Sequence, residues 1–442
     1  MAARDTAGAL AAPLPDPGPL DLDTATQLAR RALDRCDALA AHSEHPDHLA
    51  RRCLTGAMAD AHATLRGWME QAGLTVEVDA IGNLRGVIGS TGPDEPRLVI
   101  GSHLDTIRDA GKYDGPLGVV LGLTMVEAIR ELGIELPYAV EVVGFSDEEG
   151  VRFGRPFLGS LALVGKLKPA DLALTDDAGT TVAEAMDTFA PGRELADARL
   201  DPETTVGYLE LHIEQGPVLE SAGHPVGVVE AIAGHRWETV HFTGEAGHAG
   251  TTPMDLRRDA MTAAAELVLA VEDLARRADG LVATVGDVTA RPGGNNVIAG
   301  RAAVEVDARS ADAGVLERAL LDLRAIAADI ARRRGLTVEH EVHFDQAPVK
   351  MDAGLRALLR EAVADAGQAL HELPSGAGHD ARILAPTIPS AMLFLRSPGG
   401  LSHHPDERVH APDVAVALRV AVAFLVRLAA RFEARPEITG QP

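Results

Sequence analysis

The feature that most restricts the fold is a set of short apolar runs, each of which leads directly into residues able to bind metal or move protons. Residues 97–101 run into His103, and residues 139–145 run into the acidic stretch at 147–149. Between these runs, residues 115–133 have the pattern of a loop followed by a helix. Strands that alternate with helices in this way predict an α/β sheet with helices on both faces.

The middle of the chain has a different pattern and predicts a second domain. Alternating strand-like segments and long amphipathic helices follow one another in the order β-α-β-β-α-β, over residues 235–244, 255–277, 281–288, 302–308, 311–334 and 337–344. This order is typical of a two-layer antiparallel sheet with two helices. We therefore expect an inserted α+β domain at residues 229–345, with residues 21–228 and 346–442 forming the catalytic domain. Residues 1–20, which are rich in proline, are expected to be a flexible tail.

The amino-acid composition restricts the kinds of partner that this chain can bind and indicates its cellular compartment. Asp and Glu number 65 against 41 Lys and Arg, and this net charge of −24 argues against nucleic acid or an anionic membrane as a partner. The cysteines Cys36 and Cys53 are too few for a disulfide framework, which favours a reducing compartment. No targeting signal is evident, and no apolar run approaches the ~18 residues of a membrane span. We expect a cytoplasmic protein.

Three polar clusters follow the predicted strands of the catalytic domain. His103 is expected at the carboxyl end of a buried strand, where ligands bind in open α/β sheets, with Asp105 nearby to fix its tautomer. Asp114 precedes a glycine in a loop where a carboxylate can bridge two cations. The adjacent acids at 147–149 repel one another unless cations or protons stabilise them. Taken alone, each cluster is also explained as a solvated loop or an ordinary turn.

Two further histidines extend the pattern. Strand-like alternation places His212 on the face opposite Leu211 and Ile213, and His403 lies in a loop bounded by Gly and Pro. A single histidine in either place is more often structural than ligating. Together, however, His, Asp and Glu without Cys suit one or two divalent ions such as Zn²⁺ or Mn²⁺. Five ligands around a bridging carboxylate make a two-metal hydrolytic site plausible, in which one carboxylate ligates metal while its neighbour acts as general base.

At these residues the sequence resembles a known family, the dinuclear metal amidohydrolases related to aminoacylases and carboxypeptidases. The similarity is to the branch that holds N-carbamoyl-amino-acid hydrolases, β-ureidopropionase and allantoate amidohydrolase. It extends over about residues 49–428 and rests on motifs in the family's order, namely GSHLDT, KYDGPLGV, DEEGVRFG, ELHIEQGPVLE, GEAGHAGTTPM, GGNNVIAG, DARS, SGAGHDA and GGLSHHPDE. The resemblance implies a metallopeptidase-like catalytic domain with a mixed sheet, and an inserted dimerisation or lid domain.

The resemblance also implies a role for each residue in these motifs. Two divalent ions per subunit, Mn²⁺ or Zn²⁺, are expected on ligands that share the bridging residue Asp114, and these ligands are His103, Asp114, Glu149, His212 and His403. Glu148 is expected to be the general base, and Asp105 to orient His103. His212 is informative, because the peptidase relatives usually carry a carboxylate at this position.

Substrate binding is expected mainly from the inserted domain. By resemblance, His248, Asn296 and Arg309 bind substrate, with Asn296 preferred over the adjacent Asn295. Gln215 and Arg236 are further candidates. The resemblance implies a homodimer, and whether these residues serve their own or the partner chain's site stays open.

The expected reaction is hydrolysis of a ureido C–N bond in a small carboxylate, with release of ammonia and CO₂. Allantoate is the favoured substrate, because the overall resemblance leans that way. An N-carbamoyl-L-amino acid or 3-ureidopropionate is the alternative. A non-catalytic binding protein on the same scaffold is a remote alternative, against which the presence of all five ligand residues and Glu148 argues.

Overall fold

The computed structural model describes residues 20–90, 92 and 95–433, so the expected tail lies, except for Leu20, outside the described residues. The chain divides into two compact units. The large unit runs to Val229 and also takes in Met351–Leu373 and the chain from His379 onward. The small unit consists of Glu230–Lys350 and Pro374–Gly378.

The described residues form helices and strands in the following order. The helices are α1 (Leu22–Ala40), α2 (Gly56–Gln71), α3 (Pro116–Glu131), α4 (Leu158–Leu163), α5 (Pro169–Leu172), α6 (Val182–Phe189), α7 (Val218–Ala222), α8 (Ala260–Arg277), α9 (Ala313–Arg334), α10 (Ala353–Asp365), α11 (Ala381–Leu384) and α12 (Ala411–Glu433), with 3₁₀ turns at Met254–Leu256 and Pro398–Gly400. The strands are β1 (Thr75–Val78), β2 (Leu84–Ile88), β3 (Arg97–His103), β4 (Ala139–Phe145), β5 (Thr205–Ile213), β6 (Val226–Ile232), β7 (Gly234–Thr243), β8 (Gly247–His248), β9 (Leu281–Arg291), β10 (Val297–Ile298), β11 (Arg301–Ser310), β12 (Thr337–Gln346), β13 (Val349–Lys350), β14 (Glu372–Ser375) and β15 (Ser390–Leu395).

The large unit is built on a mixed sheet whose strand order is β1-β2-β4-β3-β5-β15-β6. Strands β4, β3, β5 and β15 are mutually parallel, whereas β2 and β6 join them antiparallel. Parallel neighbours end at the same edge of a sheet, so the carboxyl ends of these four strands lie side by side. The edge so formed positions the candidate site.

Side-chain alternation along β5 separates core residues from chemically active ones. Leu209, Leu211 and Ile213 join the main apolar core, to which helices α1, α3, α10 and α12 contribute. Glu210 and His212 therefore face the other side of the sheet, as the alternation in the sequence predicts. On that side the Ala381 N–H at the start of α11 donates to the Glu210 carboxylate over 2.9 Å. Helices thus cover both faces of the large sheet.

The small unit has a four-stranded antiparallel sheet in the order β12-β7-β11-β9, with α8 and α9 packed on it. Its core comes from alternate strand residues such as Val240, Phe242 and Val304, which pack against Leu267 of α8 and Ala327 of α9. This is the two-layer α+β arrangement expected from the sequence. With the mixed α/β sheet of the large unit, it confirms the fold class.

The entry and exit strands of the small unit pair with each other. In the antiparallel ladder between β6 and β13, Ile232 pairs with Val349 and Ala231 pairs with Lys350. The two ends of this unit are therefore held one strand spacing apart, about 5 Å.

The helices of the small unit begin and end at residues whose chemistry suits those positions. The side chains of Asp259 and Asp312 accept backbone N–H groups at the starts of α8 and α9, each over 2.9 Å. Helix α9 is followed by Gly335, whose φ of 68° is the left-handed conformation common after a helix. Within residues 20–90 and 95–433, no helix combines the length and the hydropathy needed to cross a bilayer.

A buried histidine on α2 makes the stability of the large unit sensitive to acid. His62 packs edge-on against Phe189, and burial, with a smaller contribution from Arg51 and Arg66, lowers its pKa to about 3. In the unfolded chain this imidazole takes up a proton near pH 6.5. The unfolded state therefore binds more protons as the pH falls below about 6.5, and stability is lost on acidification.

We predict that His62→Gln weakens this pH dependence. For one such histidine, the free energy of unfolding falls by about 1.4 kcal/mol between pH 7.5 and 5.5, and the variant lacks this part of the fall. Urea unfolding at the two pH values measures it, with His45→Gln as the control, because His45 is exposed. An equal loss of stability in wild type and His62→Gln would contradict the prediction.

Candidate metal centre

The carboxyl edge of the large sheet gathers the side chains expected to bind metal. His103 is the last residue of β3, Glu149 follows β4, His212 lies near the end of β5, and His403 follows β15. Asp114 lies in the loop before α3. Ligand atoms of His103, Asp114 and His212 lie within 4.8 Å of one another, and so do those of Asp114, Glu149 and His403. The structure thus brings all five expected ligands together, in clusters of His, Asp and Glu that can hold metal ions.

Asp114 belongs to both clusters and presents one oxygen to each. Its Oδ1 lies 3.3 Å from His212 Nε2 and 3.7 Å from His103 Nε2. Its Oδ2 lies 3.2 Å from His403 Nε2, which is 3.5 Å from Glu149 Oε1. Burial alone would raise the pKa of Asp114, but the imidazoles of His103 and His403 hold it well below its usual range.

The tautomers of two histidines show that a cation fits the first cluster. The Nδ1 atoms of His103 and His212 each lie 2.9 Å from a backbone carbonyl oxygen, of Asp105 and Ile213 respectively. Because a carbonyl only accepts, each Nδ1 carries a proton. Burial alone would lower the pKa of His103, but the carboxylates of Asp114 and Glu148 raise it well above its usual value, so positive charge is favoured at this ring. Burial lowers the pKa of His212 to about 4, which keeps that ring neutral.

The Nε2 atoms of both rings converge on the Asp114 carboxylate. The two Nε2 atoms are 3.4 Å apart, and the buried Oδ1 of Asp114 has no hydrogen-bond donor among the described residues. A buried acceptor without a partner is costly, and a cation at this point satisfies all three atoms. The residues present therefore fit a divalent ion with nitrogen and oxygen ligands.

Two glycines of the KYDGPLGV motif allow this approach. Gly115 has a φ of 84°, and a Cβ there would overlap the imidazole of His103. A Cβ on Gly118 would overlap the Leu211 carbonyl and Ser102. The loop that carries Asp114 can therefore lie against β3 and β5 only because both positions lack a side chain.

The acidic stretch after β4 is fixed by Asp105. Its carboxylate accepts the backbone N–H groups of Glu148 and Glu149, each over 3.0 Å. The contact to His103 comes instead from the Asp105 carbonyl, since the carboxylate oxygen is 3.8 Å from Nδ1. Asp105 thus lies beside His103 as expected, but through its backbone, while its side chain holds the acidic loop.

Glu148 and Glu149 both reach the cluster around His103. Burial raises the pKa of Glu148 well above its usual value and that of Glu149 to about 7. The backbone turns sharply before them, with Asp147 at a φ of 59°. One of the two carboxylates can therefore ligate a metal ion while its neighbour accepts and donates a proton.

Gln215, expected to contact substrate, lies on the ligand cluster. Its Nε2 donates to Asp114 Oδ2 over 2.9 Å. The backbone is held at a φ of 59°, and its N–H donates to Ser397 Oγ over 3.0 Å. This geometry gives Gln215 a contact with Asp114, and its expected contact with substrate stays a prediction.

The other four expected substrate residues lie in the small unit, at two places. His248 and Asn296 are brought together by the ladder of β8 and β10, in which His248 pairs with Val297 and the Ala249 N–H donates to the Asn296 carbonyl. Both side chains are exposed.

Arg236 and Arg309 occupy neighbouring strands and have acidic partners. Arg236 lies 3.1 Å from Asp345. Arg309 places its guanidinium fork on Asp307, with two contacts of 2.9 Å, and also donates to the Gly376 carbonyl. The pairing with Asp307 is the ordinary surface alternative to substrate binding for this arginine.

Three residues touch the cluster although no role was expected for them from the sequence. Ser402 Oγ lies 3.1 Å from Asp114 Oδ2, and Glu407 accepts the Asp114 N–H over 3.1 Å. The ring of His379 lies edge-on to His212, with centroids 4.5 Å apart. All three stand in motifs that carry the family resemblance, which is the signal that marks them.

Comparison with known proteins tests the family resemblance. The sequence model of peptidase family M20/M25/M40 matches residues 99–427. An allantoate deiminase from Arabidopsis thaliana is 38% identical over 431 residues, which cover 90% of this chain and 82% of that protein. An N-carbamoyl-L-amino acid amidohydrolase from Geobacillus stearothermophilus is 40% identical over 383 residues, which cover 86% of this chain and 93% of that protein.

A solved structure agrees with the sequence relatives. A hydantoinase/carbamoylase family amidase from Burkholderia ambifaria has a TM-score of 0.85 and 32% identity, covering 91% of this chain and 97% of that one. These matches extend over nearly the whole chain, and the resemblance inferred from the motifs is confirmed. The chain belongs to peptidase family M20/M25/M40.

Proposed function

We propose that this chain is a metal-dependent hydrolase of a ureido C–N bond in a small carboxylate, with allantoate as the favoured substrate. An N-carbamoyl-L-amino acid or 3-ureidopropionate is the second candidate. The observation that carries the proposal is Asp114, whose two oxygens face two separate ligand clusters. The relatives named above, which act on allantoate and on N-carbamoyl-L-amino acids by their names, support the substrate class.

Two divalent ions, Mn²⁺ or Zn²⁺, complete the proposed site. His103, Asp114 and His212 would hold one, and Asp114, Glu149 and His403 the other. Ligands with nitrogen and oxygen donors and no thiolate suit these metals. When bound, such ions polarise the ureido carbonyl, a poor electrophile, and lower the pKa of water.

Glu148 is the proposed proton carrier. Its carboxylate takes a proton from the attacking water, whose oxygen bonds to the ureido carbon, and passes that proton to the departing nitrogen. The C–N bond then breaks to give ammonia and a carbamate, which loses CO₂. Asp105, which holds the Glu148 N–H over 3.0 Å, keeps this carboxylate in place.

The charge balance of the site favours an anionic substrate. Asp114 and Glu149 are the two carboxylates in the proposed ligand set. They neutralise only part of the charge of two divalent ions, so a positive field remains inside a protein whose net charge is −24. A substrate carboxylate is attracted to that field.

The small unit and the assembly complete the proposal. We propose that substrate is bound by His248, Asn296, Arg236 and Arg309. We also propose that the chain acts as a homodimer, in which these residues serve either the site of their own chain or that of the partner chain. Gln215, whose Nε2 donates to Asp114 Oδ2, is a further proposed substrate contact. Cys36 and Cys53 are buried and unpaired, which supports a cytoplasmic setting.

The reaction is tested by a substrate panel. Allantoate, ureidoglycolate, N-carbamoyl-L-amino acids and 3-ureidopropionate are assayed for ammonia release with Mn²⁺ and with Zn²⁺. We expect the highest kcat/KM with allantoate. A higher value with a carbamoyl amino acid favours the second candidate, and no release from any of them contradicts the proposed activity.

Glu148→Gln should bind metal almost as well as wild type and lose most turnover. The amide keeps the shape of the side chain but cannot accept the proton, and a general base contributes on the order of 10²–10⁴-fold. Metal content and kcat are measured on the same preparation. A near-normal kcat excludes Glu148 as the base.

The shared carboxylate gives a second prediction, on metal content. Asp114→Ala should disturb both ions, because each cluster loses a ligand, whereas His212→Ala should first weaken one. Elemental analysis after dialysis against a chelator measures the ions per chain. A single ion in the fully active wild type would contradict the two-ion site.

The guanidinium fork of Arg309 gives the prediction for the small unit. Arg309→Lys keeps the charge but loses the bidentate geometry, so KM for the substrate should rise by the equivalent of about 1–3 kcal/mol. Arg301→Lys, an exposed position at the other end of β11, is the matched control. Arg301→Lys should keep the KM of wild type. If Arg309→Lys keeps it as well, Arg309 does not bind substrate and its guanidinium only pairs with Asp307.

A further inference from the structure

A buried glutamate from the last third of the large unit lies against the loop that carries Asp114. The Oε1 atom of Glu407 accepts the backbone N–H groups of Tyr113 and Asp114, over 3.0 and 3.1 Å. The side chain of Glu407 is only 5% exposed. A Cβ on Gly111 would overlap it, so this close approach depends on a glycine in the loop.

The other oxygen of Glu407 reaches the Asp114 carboxylate through Ser402. Ser402 Oγ lies 3.1 Å from Glu407 Oε2 and 3.1 Å from Asp114 Oδ2. Gln215 Nε2 lies 2.9 Å from the same Oδ2 and 3.3 Å from Ser402 Oγ. Asp114 is therefore held at its backbone by Glu407 and at Oδ2 by Ser402 and Gln215, while Oδ1 points to His103 and His212 without a donor.

The same segment carries His403, the most exposed of the five ligands. Its side chain is 48% exposed, and its φ of 55° is unusual for a residue with a side chain. Packing therefore does little to fix this imidazole. Glu407, four residues further on and buried, anchors the segment to the Asp114 loop.

Within the described part of the chain, Glu407 has no cationic partner that would explain its burial. None of the ion pairs among the described residues includes Glu407, and its hydrogen bonds run to the Asp114 loop and to Ser402. A buried carboxylate without a basic partner carries a desolvation cost. Its contacts all lead to two metal-ligand candidates, Asp114 directly and His403 through the shared segment.

We propose that Glu407 and Ser402 are positioning residues that set the orientation of Asp114 and its distance to His403. This inference rests on the proposed metal centre. A carboxylate shared by two ions must present both oxygens at a fixed angle, and free rotation of its side chain would spoil both clusters. Hydrogen bonds to ligands typically change metal affinity by ~10–100-fold.

The test measures metal affinity, which does not depend on turnover of any ureido substrate. Mn²⁺ and Zn²⁺ are titrated against a competing chelator for wild type, Ser402→Ala, Glu407→Ala and Glu407→Gln, and urea unfolding of each metal-free protein is recorded. We expect affinity to fall ~10–100-fold in Ser402→Ala and Glu407→Ala. Ser402→Ala loses one hydroxyl, so its metal-free stability should stay near wild type.

Glu407→Gln distinguishes hydrogen bonding from charge. Its amide oxygen can still accept the two backbone N–H groups, and its Nε2 can donate to Ser402 Oγ, which frees the hydroxyl to donate to Asp114. We expect its affinity to stay within a few-fold of wild type, whereas Glu407→Ala does not recover.

Glu214→Ala is the matched control. Glu214 is also a buried carboxylate that accepts two backbone N–H groups, those of Val218 and Leu219 over 2.7 and 3.0 Å, but they belong to the start of α7. It should lose stability without losing metal affinity. Equal affinity in Ser402→Ala and wild type, or an equal fall in Glu214→Ala and Glu407→Ala, overturns the proposal.

The two proposals fail in different ways. A wild type that binds metal through these residues but hydrolyses no ureido substrate removes the proposed activity and leaves the positioning role standing. A wild type that binds no divalent ion overturns the positioning role as well, because the role is defined by the metal ligands.

Discussion

The candidate metal centre depends on one buried carboxylate, that of Asp114, which is held against the imidazole rings of His103 and His212. Two backbone carbonyls each accept the Nδ1 proton of His103 or His212, and Asp114 Oδ1 then lies 3.7 Å from His103 Nε2 and 3.3 Å from His212 Nε2. The buried Oδ1 has no hydrogen-bond donor among the described residues, which is costly, and a positive charge at this point offsets that cost. The sheet, the glycines at 115 and 118, and the hydrogen bonds from Gln215 and Ser402 all hold this geometry in place.

Three of the candidate metal ligands lie at places that a local pattern in the sequence indicates, and the ligand role of all five stays a prediction implied by the family resemblance. His103 and the acidic stretch at 147–149 come directly after apolar runs, and the alternation along β5 assigns His212 to the non-core face. Parallel strands then bring such ends to one edge. The fold class followed from the same patterns, since a change from α/β alternation to antiparallel alternation marks the small unit.

Contacts between distant segments that involve backbone atoms could not be predicted from the sequence. Glu407 binds the N–H groups of residues 113 and 114, which are 294 and 293 positions away, and no periodicity links such residues. Asp105 contacts His103 through its carbonyl while its carboxylate holds the acidic loop, because the side chain and the carbonyl of one residue point in different directions. Gln215 has a left-handed backbone conformation, which could not be predicted from the residue type, and its side chain contacts Asp114.

The pairing of Ile232 with Val349 and of Ala231 with Lys350 has a consequence for how the chain folds. Strands β5 and β15 are adjacent in the large sheet, although the whole small unit separates them in sequence. An unstructured insert of that length would add to the entropy lost when the two strands meet. Once the small unit has folded, its closed ends turn that long connection into a short one. The folding rate therefore depends on the order in which the two units form. If the small unit folds first, the entropic barrier to completing the large sheet is smaller.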